Sequence, residues 1–134
     1  MSDRAGFSSF AGAALRIVSG LMFAFHGAQK ILGVLTTPEH QPHFPQQLWF
    51  GGIIELVGGI LIAIGLFTRP AALLASGTMA VAYFQFHWKL AMDNWMFLPA
   101  INKGELAVLY CFVFLVFAVS GAGAFSLDSA RGRT

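Results

Sequence analysis

Four long apolar segments take up most of this 134-residue chain and strongly limit what it can fold into. A helix that crosses a bilayer needs roughly 20 mostly apolar residues, and each segment is about that long. We predict helices at about 11–32, 48–67, 70–90 and 104–123. The sequence therefore predicts one domain, residues 1–134, folded as an all-α transmembrane four-helix bundle.

The composition excludes several other classes of protein. The chain is 57% hydrophobic and 10% charged, whereas about a quarter of the residues in a soluble domain are charged. The net charge of +2 comes without any basic run, so we expect no nucleic-acid partner. A lone Cys111 excludes an internal disulfide and a Cys-x-x-Cys redox pair.

The lysines and arginines indicate how such a bundle would be oriented. With four spans, both termini lie on the same side of the membrane. That side would carry Arg4, Arg16, Arg69, Arg131 and Arg133, and the opposite side Lys30, Lys89 and Lys103. Since cytoplasmic loops are richer in basic residues, we predict a multi-pass protein of the bacterial inner membrane with both termini in the cytoplasm.

Glu55 is a carboxylate within an apolar, glycine-rich segment. A charge at that depth costs at least about 3 kcal/mol, so it should face protein and have a partner. One helix face collects positions 51, 55, 58, 62 and 65, and three of these are glycines. Glycines let a second membrane helix approach closely. We therefore predict that Glu55 faces the bundle interior and contacts His26 or Lys30.

The first, third and fourth predicted helices each also have a face that could turn inward. These faces are Arg16, Ser19, Phe23, His26 and Lys30 on the first helix; Ser76, Ala80, Tyr83 and His87 on the third; and Glu105, Leu109, Phe112 and Val116 on the fourth. Counting from the loops places titratable groups of all four helices in the same half of the bundle. We expect them to converge there.

Such a convergence is typical of a buried acid–base site for proton-coupled redox chemistry. Quinone reduction requires protons, which histidine and carboxylate groups can supply or accept near neutral pH. The predicted catalytic residues are Glu55, His26, His87 and Glu105, and the predicted quinone-binding residues are Lys30, Tyr83, Phe23 and Asn102. Phe112 and Met79 are expected to complete an apolar pocket between the helices.

The same residues also allow a purely structural interpretation. Glu55 could pair with Lys30 or His26, and Glu105 with His87, so that the network sets helix register and catalyses nothing. Metal or haem ligation by the histidines and carboxylates lacks a characteristic spacing, so we assign no metal site. Glu39, His40 and His43 form a second cluster in the loop at about 33–47, which a solvated, proline-containing loop also explains.

The opposite half of the bundle carries a second set of charges. Arg16 near the start of the first helix and Asp128 after the fourth lie at similar depth. We predict an ion pair between them, with Arg69 nearby.

Taken together, these residues resemble the DoxX family of small four-helix membrane proteins. The matching motifs are Leu15-Arg16 with Gly20, His26-Gly27-x-x-Lys30, Gly51-x-x-x-Glu55-Leu-x-Gly58-Gly59, Gly65-Leu-x-Thr68-Arg69-x-Ala71-Ala72, Asn102-Lys-Gly104-Glu105-Leu106 and Ser126-Leu-Asp128. The family is named after a membrane subunit of a thiosulfate-quinone oxidoreductase. The resemblance implies a membrane bundle, with a role in sulfur-compound oxidation or in oxidative-stress defence beside thiol- or superoxide-handling partners.

The resulting expectation is a membrane subunit of an oxidoreductase that acts on or near the quinone pool. The chain has no redox group of its own, so a bound quinone and a soluble or membrane redox partner are expected. Two alternatives remain open: a non-enzymatic scaffold that anchors a soluble redox enzyme, and a small permease that uses Glu55 for proton coupling. Exposed glycine or aromatic faces also leave a homo-oligomer open.

Overall fold

The computed structural model describes residues 2–37 and 46–133 as an all-α structure. Helix α1 is Ser2–Leu32; α2 comprises Gln46–Ile53, a π-helical turn at Ile54–Gly58, and Gly59–Ile64. Helix α3 comprises Thr68–Ala82 and a π-helical turn at Tyr83–Trp88, and it is followed by α4 (Pro99–Asn102), α5 (Glu105–Ser120) and α6 (Leu127–Ala130). The predicted loop cluster of Glu39, His40 and His43 lies outside the described residues.

The four long helices pack as two pairs. Helix α1 lies along α2, and α3 lies along α5. A tight turn joins α2 to α3, where Gly65 ends α2 with a positive φ of 69°, a conformation that glycine adopts without strain. The predicted all-α four-helix bundle is confirmed.

Close packing of α1 against α2 depends on glycines. A Cβ atom added to Gly20 would lie 2.6 Å from the amide nitrogen of Ala63, and one added to Gly27 would collide with the backbone of Leu56. On α2 the contacting glycines are Gly52 and Gly59. The two backbones therefore touch along a stripe of glycines spaced by seven residues on each helix.

The glycine face predicted on α2 is partly wrong. Glu55, Gly58, Ile62 and Gly65 are buried as predicted. A Cβ atom on Gly51 or Gly58, however, would meet nothing within 4 Å. Helix α2 packs against both α1 and α3, so its buried side is wider than one glycine stripe, and the spacing alone does not tell which glycine of each pair meets α1. In the structure, the second glycine of each Gly-Gly pair, and not the first, contacts α1.

The outer surface of the bundle is apolar. Leu15, Val18, Phe25, Leu73 and Leu109 are among many large hydrophobic side chains that are exposed, as expected for a surface that faces lipid. In the described part of the chain, one segment, Ser8–Leu32, is both long and apolar enough to cross a membrane, and Trp49–Ile64 and Glu105–Ser120 are shorter apolar helices. Four crossings remain a prediction.

The core lies where α3 and α5 meet α1 and α2. Small residues of α3, including Ala72 and Ala75, allow α5 to approach. The buried face of α5 is Ala107, Tyr110, Phe114 and Phe117. The predicted face was therefore wrong, since Glu105, Leu109, Phe112 and Val116 are all exposed. Helix α5 is apolar on every side, so its sequence has no periodic pattern that marks an inner face.

Arg16 closes one end of the bundle. Its side chain is 0% exposed. One terminal nitrogen donates to the carbonyl oxygens of Ile62 (3.0 Å) and Ala63 (2.6 Å), and the other to those of Ala124 (3.2 Å) and Phe125 (2.7 Å). The last carbonyls of a helix have no partner within the helix. Arg16 therefore caps α2 and fixes the C-terminal segment to it.

Asp128 binds the start of α3 and not Arg16. Its carboxylate accepts hydrogen bonds from the amides of Phe67 (3.0 Å) and Thr68 (2.9 Å), and its own amide donates to Gly65. Lys30–Glu55 is the ion pair found in the described residues, so the predicted Arg16–Asp128 pair is wrong. Both side chains lie at the predicted end of the bundle, but each is satisfied by backbone groups at helix ends.

The capping role of Asp128 predicts a dependence of stability on pH. Partial burial raises the pKa of Asp128, but hydrogen bonds from Thr68 and Phe67 and the charge of Arg133 outweigh it, leaving the pKa below its ordinary value. A carboxyl group whose pKa is lowered by folding stabilises the folded state fully above its pKa in the unfolded chain, about 3.9. This stabilisation is lost as the pH falls through the pKa of the group in the folded protein. Because a hydrogen bond to a charged acceptor contributes about 1 kcal/mol more than a neutral one, we expect Asp128→Asn to cost at least about 1 kcal/mol near neutral pH.

Unfolding in mixed micelles with increasing SDS, repeated from about pH 7 to about pH 3, measures this cost. The difference between wild type and Asp128→Asn should shrink below about pH 4. A difference that stays constant over this range would contradict the capping role of the carboxylate.

Candidate functional site

Two π-helical turns position polar side chains toward the same region of the bundle. The first, Ile54–Gly58, carries Glu55, and the second, Tyr83–Trp88, carries His87. A π-helical turn inside a longer helix is uncommon and frequently occurs at a functional site. The turn at Ile54–Gly58 lies inside α2, whereas the turn at Tyr83–Trp88 forms the last turns of α3.

Between the helices lies a cavity of about 870 Å³. Its walls are mostly apolar and include Phe23, Ile54, Met79, Ala107 and Leu106. Its polar lining consists chiefly of His26, Lys30, Glu55, Thr78, Gln85, His87, Lys103 and Tyr110. An apolar pocket of this size with a few convergent polar groups is typical of a small-molecule binding site.

An ion pair between the half-buried Lys30 and the buried Glu55 forms one wall of this cavity. Lys30 Nζ lies 2.6 Å from Glu55 Oε1. Glu55 is 4% exposed, and Lys30 sits in the last turn of α1, where a positive charge is favourable. The predicted contact between Glu55 and the first helix is confirmed. The pair joins α1 to the π-helical turn of α2.

Aromatic side chains form the adjoining wall. The ring of His26 stands edge-on to that of Tyr110, with centroids 6.3 Å apart. Phe23 packs against both Tyr110 (5.4 Å) and Phe114 (4.8 Å). All five residues predicted to share the inner face of the first helix are buried or half-buried, from Arg16 to Lys30. His26 and Phe23 therefore lie where the sequence placed them.

His87 lines the cavity from α3. Its side chain is half-buried, and Nδ1 lies 3.3 Å from the carbonyl oxygen of Asn102. The neighbouring lining residues Leu73, Leu74 and Val81 are also exposed on the outside of the bundle. The cavity therefore opens along α3 to the apolar surface.

Three predicted site residues lie outside the cavity lining. Glu105 is exposed at the start of α5, and no ion pair joins it to His87 among the described residues. The Tyr83 hydroxyl donates to the carbonyl of Phe97, and Asn102 donates to Tyr83 and to the carbonyl of Met96. Tyr83 and Asn102 thus anchor the loop between α3 and α5. Their roles in catalysis or quinone binding stay predictions.

Tyr110 is the cavity residue that the sequence reasoning missed. It is 5% exposed, and its hydroxyl has no hydrogen-bond partner among the described residues. Buried hydroxyl groups nearly always have a partner. Tyr110 is the one hydroxyl-bearing residue of α5 before its last position, Ser120, and that isolated polar group within an apolar stretch was the available signal.

The described residues contain no cluster of three or more histidine, cysteine, aspartate or glutamate side chains that could hold a metal ion.

Comparison with known proteins agrees with this architecture. The family model of DoxX matches residues 11–88, more than half of the chain. The chain belongs to the DoxX family. The match includes most of α1 and all of α2 and α3, and therefore His26, Lys30, Glu55 and His87 of the cavity.

Two relatives extend this similarity over most of the chain. An uncharacterized protein of Haemophilus influenzae is 45% identical over 117 residues, 86% of either chain. The inner membrane protein YqjF of Escherichia coli is 30% identical over 122 residues, 84% of this chain and 85% of that protein. No solved structure matches the chain. This DoxX protein is therefore a membrane protein.

Proposed function

We propose that this DoxX protein is the membrane subunit of an oxidoreductase that binds a quinone from the bilayer and exchanges protons with it. A quinone accepts two electrons and two protons when it is reduced. The observation that supports the proposal is the apolar cavity with Lys30, Glu55, His26 and Tyr110 at its lining. The apolar walls suit a ring and tail, and the polar groups suit the ring oxygens.

Different residues of the chain bind the quinone ring, give access from the lipid and exchange protons. Phe23 and Met79 bind the ring by apolar contact, and the opening along Leu73, Leu74 and Val81 gives access from lipid. Glu55 and His26 hold or accept protons. A separate protein is required as the electron donor or acceptor, because the chain carries no redox group.

We infer that the bundle spans the inner membrane four times, with both termini in the cytoplasm. The description of the E. coli relative as an inner membrane protein supports this location. The excess of basic residues at the terminal end supports the orientation.

Filling the cavity tests the proposed function directly. Gly77 lines the cavity, and a Cβ atom there would meet nothing within 4 Å. Gly77→Phe is therefore expected to fold and to occupy the space of a ligand. We expect quinone, extracted from the purified protein and identified by mass spectrometry, to fall at least about tenfold relative to wild type.

Gly12→Phe is the matched control, since Gly12 also has open space around it but does not line the cavity. It should retain the wild-type quinone content. Wild-type protein that contains no quinone and binds none on addition would overturn the proposal and favour a non-enzymatic scaffold.

A further inference from the structure

Two buried polar atoms at the cavity have no hydrogen-bond partner among the described residues. In the described part of the chain, Oε2 of Glu55 and the hydroxyl of Tyr110 accept or donate no hydrogen bond. Both residues are more than nine-tenths buried, and both line the cavity. Because such groups are costly to leave unpaired, they indicate what a ligand must provide.

Both atoms can accept a hydrogen bond, but they differ in whether they can also donate one. Glu55 is paired with the ammonium group of Lys30 through Oε1, so its second oxygen is part of a carboxylate and can only accept a hydrogen bond. Tyr110 can donate or accept one. A complementary ligand therefore presents a donor to Glu55 and an oxygen to Tyr110.

The two redox forms of a quinone differ in this respect. The oxidised ring has carbonyl oxygens, which accept hydrogen bonds and cannot donate them. A carbonyl facing Oε2 would place two acceptors together. The reduced ring has hydroxyl groups, and a hydroxyl group can donate to a carboxylate, forming a strong charge-assisted hydrogen bond.

We propose that the cavity selects the reduced, hydroxyl-bearing quinol over the quinone, with Glu55 Oε2 as the acceptor that makes the distinction. This inference rests on the proposed function and adds the form of the ligand that the protein holds. Lys30 acts as the positioning residue, since it donates to one of the two carboxylate oxygens of Glu55 and leaves the other facing the ligand. Tyr110 contacts the ligand in either form.

Three ligands with the same decyl tail test the proposal: a benzohydroquinone, its dimethyl ether and the corresponding benzoquinone. Binding to the full chain in lipid nanodiscs is measured without oxygen by calorimetry. We expect the hydroquinone to bind at least about tenfold more tightly than the ether or the quinone, the size of effect that one hydrogen bond to a charged group provides.

Glu55→Gln supplies the matching variant. Glutamine has a similar shape but carries an NH₂ group that donates, so the preference should fall below about threefold or turn toward the quinone. Asp93→Asn makes the same chemical change on an exposed loop residue and should leave the preference unaltered. The three-ligand comparison on wild-type protein does not depend on any variant folding.

The outcomes separate this inference from the function on which it rests. Equal binding of the hydroquinone and its ether by wild type would overturn the inference, because the hydroxyl groups would then be unused. Tighter binding of the quinone would overturn it as well, while still supporting a quinone site. Failure of all three ligands to bind would overturn the proposed function and the inference together.

Discussion

Replacing Glu55 by glutamine is expected to leave the bundle folded and to abolish quinone turnover. Glutamine keeps the size of the side chain, and its oxygen can still accept the hydrogen bond from Lys30. It cannot bind and release a proton at usable pH. Since a positioned acid–base group typically contributes at least about 100-fold to a rate, turnover should fall by that factor or more.

The measurement is quinone reduction in membranes that contain the partner protein, together with the melting temperature of the purified variant. A second variant, Glu55→Leu, removes the carboxylate altogether and leaves Lys30 without this partner. It should cost about 1.5–3 kcal/mol of stability, the usual contribution of a hydrogen bond to a charged group. If Glu55→Gln has normal turnover and a shifted melting temperature, Glu55 fixes the register of the helices and takes no part in catalysis. That result would favour the non-enzymatic scaffold.

Gly59→Ala is expected to be strongly destabilising, whereas Gly58→Ala should be tolerated. A Cβ atom on Gly59 would lie 2.5 Å from the amide nitrogen of Ala24 and 2.6 Å from the carbonyl oxygen of Gly20. Both contacts are with backbone, which cannot rotate away. Forcing α1 and α2 apart should cost about 3 kcal/mol.

Gly58 is the matched control, because it is adjacent and buried but a Cβ atom there meets nothing within 4 Å. Alanine is a better helix former than glycine, so Gly58→Ala should change stability by at most about 1 kcal/mol and in the stabilising direction. SDS titration of the two variants measures the difference. Equal losses for both would show that the glycine stripe is not what sets the distance between α1 and α2.

This pair of glycines also shows where sequence reasoning reaches its limit. The pattern in α2 correctly predicted that Glu55 is buried and that glycines allow close packing. It selected Gly51 and Gly58 as contacts, whereas Gly52 and Gly59 make them. Helix α2 packs against both α1 and α3, and the sequence of α2 alone does not tell which of these two neighbours each glycine faces.

The end of the bundle that carries Arg16 and Asp128 shows a second limit of prediction from sequence. The positions of Arg16 and Asp128 predicted that they meet at one end, and they do lie there. Their opposite charges suggested a direct ion pair. In the structure, Arg16 instead donates to carbonyl groups at the end of α2, and Asp128 accepts from amide groups at the start of α3. Unpaired groups at helix ends compete with side-chain charges, and their directions depend on how the chain turns.

The sequence by itself determined the all-α bundle, the inner face of α1 and the contact of Glu55 with that face, with His26 or Lys30 as its partner; the structure selects Lys30. These follow from local causes: apolar length, a polar stripe of helical period, and the cost of a charge without a partner in an apolar surrounding. The tertiary structure decided the rotation of α5, which buries Tyr110 and exposes Glu105. A helix that is apolar on every side can face any way, so only the fit of its side chains against α1 and α3 selects the residues that line the cavity.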